Sequence, residues 1–127
     1  MGRILIIDDD LVFSSALAAS IRNSYPLLKV DLCSDPLKSL RMIRETAPDF
    51  LIIDMEMPTM DGGKIFRFVT EAGFDKNRIV ILSGREAEYL HEHFPLGTCL
   101  AVLNKYEAKQ KVVLDMIFSS LQKKAAG

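Results

Sequence analysis

Four short apolar runs in this chain lead into side chains that can do chemistry. The run 4–7 is followed by Asp8, Asp9 and Asp10, the run 50–53 by Asp54, the run 79–82 by Ser83, and the run 99–103, after one Asn, by Lys105. Were the first and third runs neighbouring strands, about 4.8 Å apart, three or four carboxylates would converge on one crevice. Their mutual repulsion and desolvation would oppose folding unless a cation joined them. Mg²⁺, a hard ion that takes oxygen ligands from one or two carboxylates, waters and a phosphate oxygen, is the natural candidate, with Mn²⁺ able to substitute. No His or Cys lies beside the aspartates, which argues against zinc or a redox metal. A hydroxyl from Ser83 and an ammonium from Lys105 complete a set suited to phosphoryl transfer. Asp54 is then the nucleophile, the cation and Lys105 neutralise phosphoryl oxygens, and Ser83 donates a hydrogen bond to one of them. Taken singly, an Asp after a strand reads as a helix cap, a Ser as a loop residue and a Lys as a solvated charge. Their joint placement at the ends of four runs outweighs those readings.

These side chains need a scaffold that brings the run ends together. A fifth run, 30–33, fits the same spacing, and helical patterns separate all five. The first helix is expected over 11–24, capped by Asp9 or Asp10, with Val12, Ala16, Leu17 and Ile21 inward. The second is signalled by Asp35 before Pro36, with Leu37, Leu40 and Ile43 as its apolar face and Pro48 as its stop. The third is expected from Gly63 to about Ala72, with Ile65, Phe66 and Val69 inward, and the fourth near 86–94. The fifth shows Val113, Met116, Ile117, Ser120 and Leu121 on one side and Lys111, Asp115, Gln122 and Lys123 on the other. Alternating strands and helices, with several strands apolar throughout, imply a parallel sheet covered on both faces. The expected fold is a doubly wound α/β sandwich of five parallel strands in the flavodoxin-like order 2-1-3-4-5, with its ligand crevice outside the carboxyl ends of strands 1 and 3. The second strand, 29–33, alternates in polarity as an edge strand would.

With 127 residues, 16 basic and 17 acidic, the chain has a formal charge of -1 and is 49% hydrophobic. That describes one domain, expected over 1–121, with a polar tail at 122–127. The near-neutral balance excludes a protein that coats nucleic acid or anionic membranes through a general surplus of Lys and Arg. Cys33 and Cys99 stand far apart in apolar surroundings and read as core residues. No apolar stretch approaches the roughly 20 residues of a membrane span, and the aspartates after the first run do not fit a targeting signal. Cytoplasmic is the expected location.

On Ile4-Leu5-Ile6-Ile7-Asp8-Asp9-Asp10, Leu51-Ile52-Ile53-Asp54-Met55-Glu56-Met57-Pro58 with Asp61-Gly62, Val80-Ile81-Leu82-Ser83-Gly84, and Lys105, the chain resembles a CheY-like receiver domain of the two-component response regulators over essentially its whole length. The resemblance implies that Asp54 is the phosphoacceptor. It further implies that Asp9, Asp54 and the main-chain carbonyl of Glu56 bind Mg²⁺, that Asp8 acts through a water, and that Ser83 and Lys105 contact the phosphoryl group. The implied donors are a sensor histidine kinase or histidine phosphotransfer protein, or slowly a small phosphodonor. The implied output is a downstream protein target or a fused output domain, with no direct nucleic-acid or membrane binding. Such a domain is a monomer, or a dimer through helix 4, strand 5 and helix 5. It would catalyse its own phosphorylation and dephosphorylation without being a turnover enzyme.

The sequence departs from the family pattern in several places. Val102 stands where the family often has an aromatic residue that turns inward on activation. Tyr106 follows Lys105 where many members have proline, so a trans bond is expected there. Glu56 and Arg85 flank the phosphoryl position and are expected to form an ion pair across it. His91 and His93 read as surface residues, whereas Tyr89, Phe94 and Tyr106 belong either to a binding face or to packing. Three competing readings are weaker. A dehalogenase-type phosphatase needs a second Asp two places after the nucleophile, where Glu56 stands. A flavin mononucleotide binder would not put Asp8, Asp9 and Asp10 at its phosphate. A receiver that only docks would not keep the full set of Asp8, Asp9, Asp54, Ser83 and Lys105.

Overall fold

The computed structural model describes residues 2–95 and 97–127; Met1 and Leu96 lie outside the described residues. Five strands, β1 (Arg3–Ile7), β2 (Lys29–Cys33), β3 (Phe50–Asp54), β4 (Ile79–Ser83) and β5 (Ala101–Asn104), alternate with helices α1 (Leu11–Ser24), α2 (Ser39–Thr46), α3 (Gly62–Glu71), α4 (Ala87–His93) and α5 (Ala108–Ala125). The strands are parallel in the order β2-β1-β3-β4-β5, as expected, with β2 at an edge.

Side chains alternate along each strand, so the two faces of the sheet take alternate residues of the same apolar runs. Ile4, Ile6, Phe50, Ile52, Val80, Leu82 and Leu103 pack with Ala18 and Ile21 of α1 and Leu114, Phe118 and Leu121 of α5. Leu5, Ile7, Leu51, Ile53, Ile79 and Ile81 pack with Ile65 and Val69 of α3 and with Leu40, Met42 and Ile43 of α2. Full burial of such a side chain stabilises the fold by about 1.5–3 kcal/mol, which is why the runs are continuous rather than alternating.

The helices form where expected, but three of them turn differently about their axes. Asp10 caps α1, accepting from the Phe13 N–H at 3.1 Å. Its buried face is Ser14, Ala18 and Ile21, whereas Val12 is 84% exposed and Ala16 is exposed. Small residues on that face let the helix lie close to the sheet, a requirement that hydrophobicity alone does not reveal. Asp35 caps a 3-10 turn, Pro36–Lys38, ahead of α2, and this tighter turn leaves Leu37 63% exposed instead of inward. α5 buries Leu114, Phe118 and Leu121, with Val113 and Ile117 flanking, while Met116 and Ser120 face outward. The stretch expected as a polar tail continues α5 to Ala125, where Gln122 Oε1 accepts from the Leu27 N–H and Ala125 packs on the core. Cys33 is buried and Cys99 is partly so. His91 and His93 are exposed, Phe94 packs on the core, and Tyr106 is 73% exposed.

Candidate phosphoryl-transfer site

Strand register builds the site. Ile7 pairs with Ile53, so Asp8 and Asp54, one residue further along, stand side by side at the carboxyl edge. Both continue the alternate rows Ile4, Ile6 and Phe50, Ile52 that face α1 and α5, and Lys105 continues the row of Leu103 in the same way. A Lys, two Asp and the strand ends are therefore on one side of the sheet without any unusual backbone. Ser83 pairs with Asn104, and the Lys105 N–H donates to the Ser83 carbonyl at 2.8 Å, which prolongs the β4–β5 ladder to the lysine. Among the described residues every peptide bond is trans, including that before Tyr106.

Gly62 fits α3 under this edge. A Cβ there would lie 2.1 Å from the Asp54 carbonyl oxygen, so only glycine allows this approach. Asp61 caps the helix at the Gly63 N–H, and the Gly62 N–H donates to the Met55 carbonyl at 3.0 Å.

Asp8, Asp54, Ser83 and Lys105 are all buried, whereas Asp9 is exposed. Lys105 Nζ lies 2.9 Å from Asp8 Oδ2 and 3.5 Å from Asp54 Oδ2, and its ammonium sits 4.7 Å from the centre of the Phe13 ring. One ligand oxygen from each of Asp8, Asp9 and Asp54 falls within 4.8 Å of the others. Adjacent ligand oxygens around Mg²⁺ are about 3 Å apart and opposite ones about 4 Å, so modest side-chain rotation would bring these three onto one ion. Among the described residues, Asp8 Oδ2 has no polar partner apart from the ammonium, although it is buried. An all-oxygen, carboxylate-rich donor set with a buried lone pair to spare fits a hard divalent cation.

Burial, and then the charge of Asp8, raise the Asp54 pKa from its ordinary 3.8 to about 7 in spite of Lys105. Burial alone would lower Lys105, but its hydrogen bond with Asp8 and the charges of Asp54 and Asp8 raise it above its ordinary value. The crevice thus resists holding two carboxylates against a single ammonium, which is the imbalance a divalent ion would relieve.

The expected Glu56–Arg85 ion pair is absent. The Glu56 carboxylate accepts instead from Ser83 Oγ, at 2.9 and 2.8 Å to its two oxygens, and from the Gly84 N–H at 2.7 Å. The Arg85 guanidinium lies 3.8 Å from the centre of the Tyr89 ring, which stacks in turn on His93. A short hydroxyl side chain and a main-chain N–H at a strand end hold the carboxylate without immobilising a second long side chain, as an exposed ion pair must. The Glu56 N–H also donates to Asp54 Oδ1 at 3.2 Å, which orients the carboxylate expected to be phosphorylated.

Two contributors escaped the sequence reading. Asn104 Nδ2 donates to the Arg85 carbonyl at 2.8 Å and Asn104 Oδ1 accepts from the Tyr106 N–H at 2.7 Å, which ties the loop after β4 to the loop after β5. Phe13 supplies the aromatic face over Lys105. An Asn next to a lysine and a Phe in the first turns of a helix carry no signal of such roles. Val102 is partly buried beside Ile81, where the sequence put it, so no aromatic side chain occupies that place on β5.

The sequence profile of the response regulator receiver domain matches residues 4–116. The chain belongs to this family. It is 34% identical to the response regulator MprA of Mycobacterium ulcerans, over an alignment covering 89% of this chain and 53% of that protein, and so spans about half the length of that curated relative. It is also similar, at 42% identity over 47% of this chain and 16% of the other, to a protein-glutamate methylesterase/protein-glutamine glutaminase of Albidiferax ferrireducens. The fold matches the response regulator TrrA of Thermotoga maritima in complex with Mg²⁺ and BeF, with a TM-score of 0.76 at 16% identity, covering 95% of this chain and 99% of that one. It likewise matches the BeF₃-activated receiver domain of Klebsiella pneumoniae RstA, with a TM-score of 0.75 at 17% identity over 90% and 94% of the two chains. In this receiver, no helix among the described residues is long and apolar enough to cross a membrane.

Proposed function

We propose that this receiver domain carries a phosphoryl group on Asp54, taken from the phosphohistidine of a partner kinase or phosphotransfer protein in the cytoplasm, and that the modification changes what the domain binds. One observation carries the reading: Asp8, Asp9 and Asp54 share a crevice whose lysine already contacts both buried carboxylates.

In this reading Asp9, Asp54 and the Glu56 carbonyl would hold Mg²⁺, with Asp8 assisting through water. The ion supplies positive charge for the phosphoryl oxygens and favours ionised Asp54. An Asp54 oxygen forms the new O–P bond as the N–P bond of phosphohistidine breaks, and the imidazole leaves with the electron pair. Lys105, already held at the crevice by Asp8, turns its ammonium to a phosphoryl oxygen. Ser83 Oγ and the Gly84 N–H are the donors for another. The domain promotes the gain and loss of its own phosphoryl group and turns over no other substrate. Its output is a protein target or a fused output domain, reached through α4, β5 and α5.

Intact-mass measurement after incubation with Mg²⁺ and acetyl phosphate tests this. A gain of one phosphoryl group that disappears in Asp54→Asn supports it, and a gain that persists in that variant moves the acceptor elsewhere.

A further inference from the structure

We propose that the Glu56 carboxylate is an internal occupant of the phosphoryl-oxygen subsite, a competing anion that must leave before Asp54 can be modified. The inference rests on the phosphoacceptor reading above and adds a regulator to the same site.

The donors on this side of the site are the Ser83 hydroxyl and the Gly84 N–H, and Glu56 takes both. Ser83 has one hydroxyl proton. Its oxygen also accepts from the Arg85 N–H at 3.0 Å, which leaves that proton to point at Glu56. The loop presenting these donors is fixed by Asn104 through the Arg85 carbonyl and flanked by the Tyr106 ring, 3.3 Å from where a Gly84 Cβ would stand. The unmodified chain thus holds its anion-binding donors in place around an anion of its own. A phosphoryl oxygen needs the same two protons, and two anions cannot share them.

Glu56 is also able to go. It is exposed, its backbone stays anchored by the N–H bond to Asp54, and only its side chain has to rotate towards solvent. The affinity for a phosphoryl group or its mimic is then scaled by the fraction of molecules in which the seat is empty, while the loop is ready once it empties. A seat vacant about one-tenth of the time would weaken apparent affinity about tenfold.

Fluoroberyllate with Mg²⁺ is the probe, titrated into the wild type, Glu56→Ala and Glu56→Gln and followed by the Gly84 amide in ¹H–¹⁵N spectra, with Asp54→Asn as control. Glu56→Ala is expected to bind about tenfold more tightly than the wild type, and Glu56→Gln, whose uncharged amide oxygen can still accept from both donors, more tightly by a smaller factor. Before any ligand is added, their Gly84 amide proton should lie upfield of its wild-type position, because the charged acceptor is gone. Equal affinity in all three proteins, or an unmoved Gly84 amide, would overturn the competition and leave the phosphoacceptor reading standing. Absence of binding in all three, or undiminished binding by Asp54→Asn, would overturn that reading and the competition with it.

Discussion

Asp54, the proposed phosphoacceptor, is held in a place that disfavours its charge. Its pKa of about 7 means that the folded chain keeps a proton which the unfolded chain loses near 3.8. Between those values the native state binds more protons than the unfolded state, so stability falls as pH rises and levels off above about 7. In metal-free buffer, urea midpoints should drop from pH 5 to pH 8, and Asp54→Asn should flatten that drop. Lys105 acts in the opposite sense: Lys105→Met leaves buried carboxylates uncompensated and should cost about 3 kcal/mol near neutral pH. Adding Asp54→Asn to that variant should recover part of the loss, which a double-mutant cycle in urea measures. Asp8, Asp9, Asp54, Ser83 and Lys105 were all legible because each stands within two places of the end of an apolar run. The partner of Glu56 was not, because a long exposed side chain chooses among nearby donors and nothing in its spacing says which.

At the scale of elements, strands were easier to read than helix faces. Branched apolar runs bounded by polar residues have few other uses, and both α1 boundaries fall where the Asp10 cap and the end of its pattern put them. In α5, however, Val112, Val113, Leu114, Met116, Ile117 and Phe118 crowd the same two turns, so more than one apolar stripe can be drawn. Contact with the sheet chooses Leu114 and Phe118. The helix that bears most directly on the site is α3, through its first residue. Gly62→Ala forces a methyl group into the Asp54 carbonyl and should cost about 1–3 kcal/mol as overpacking. It should also weaken Mg²⁺ binding, since the strand end must move; a variant with wild-type melting temperature and Mg²⁺ affinity would contradict the close approach.

For the whole molecule, parallel order places every strand's carboxyl end on one edge, so the chemistry of chain segments as distant as Asp8 and Lys105 meets there. That global arrangement followed from the alternation of strand and helix; the loop-to-loop tie through Asn104 did not, because it depends on two loops already being neighbours. A ligand bound only by the assembled edge stabilises the entire fold. Mg²⁺ at about 100 times its dissociation constant should raise unfolding free energy by about 2.7 kcal/mol. Chelation should remove this gain, and Asp9→Asn should blunt it, as read by melting temperature against Mg²⁺ concentration.

The pairing of Ile7 with Ile53 has one more consequence. Sliding β1 by a single residue against β3 would turn the Asp8 side chain to the opposite face and pull it away from its neighbour. Occupancy by the proposed divalent ion would therefore be a checksum on how the two central strands were threaded: a misaligned chain cannot assemble the pocket that the proposed phosphoryl transfer needs.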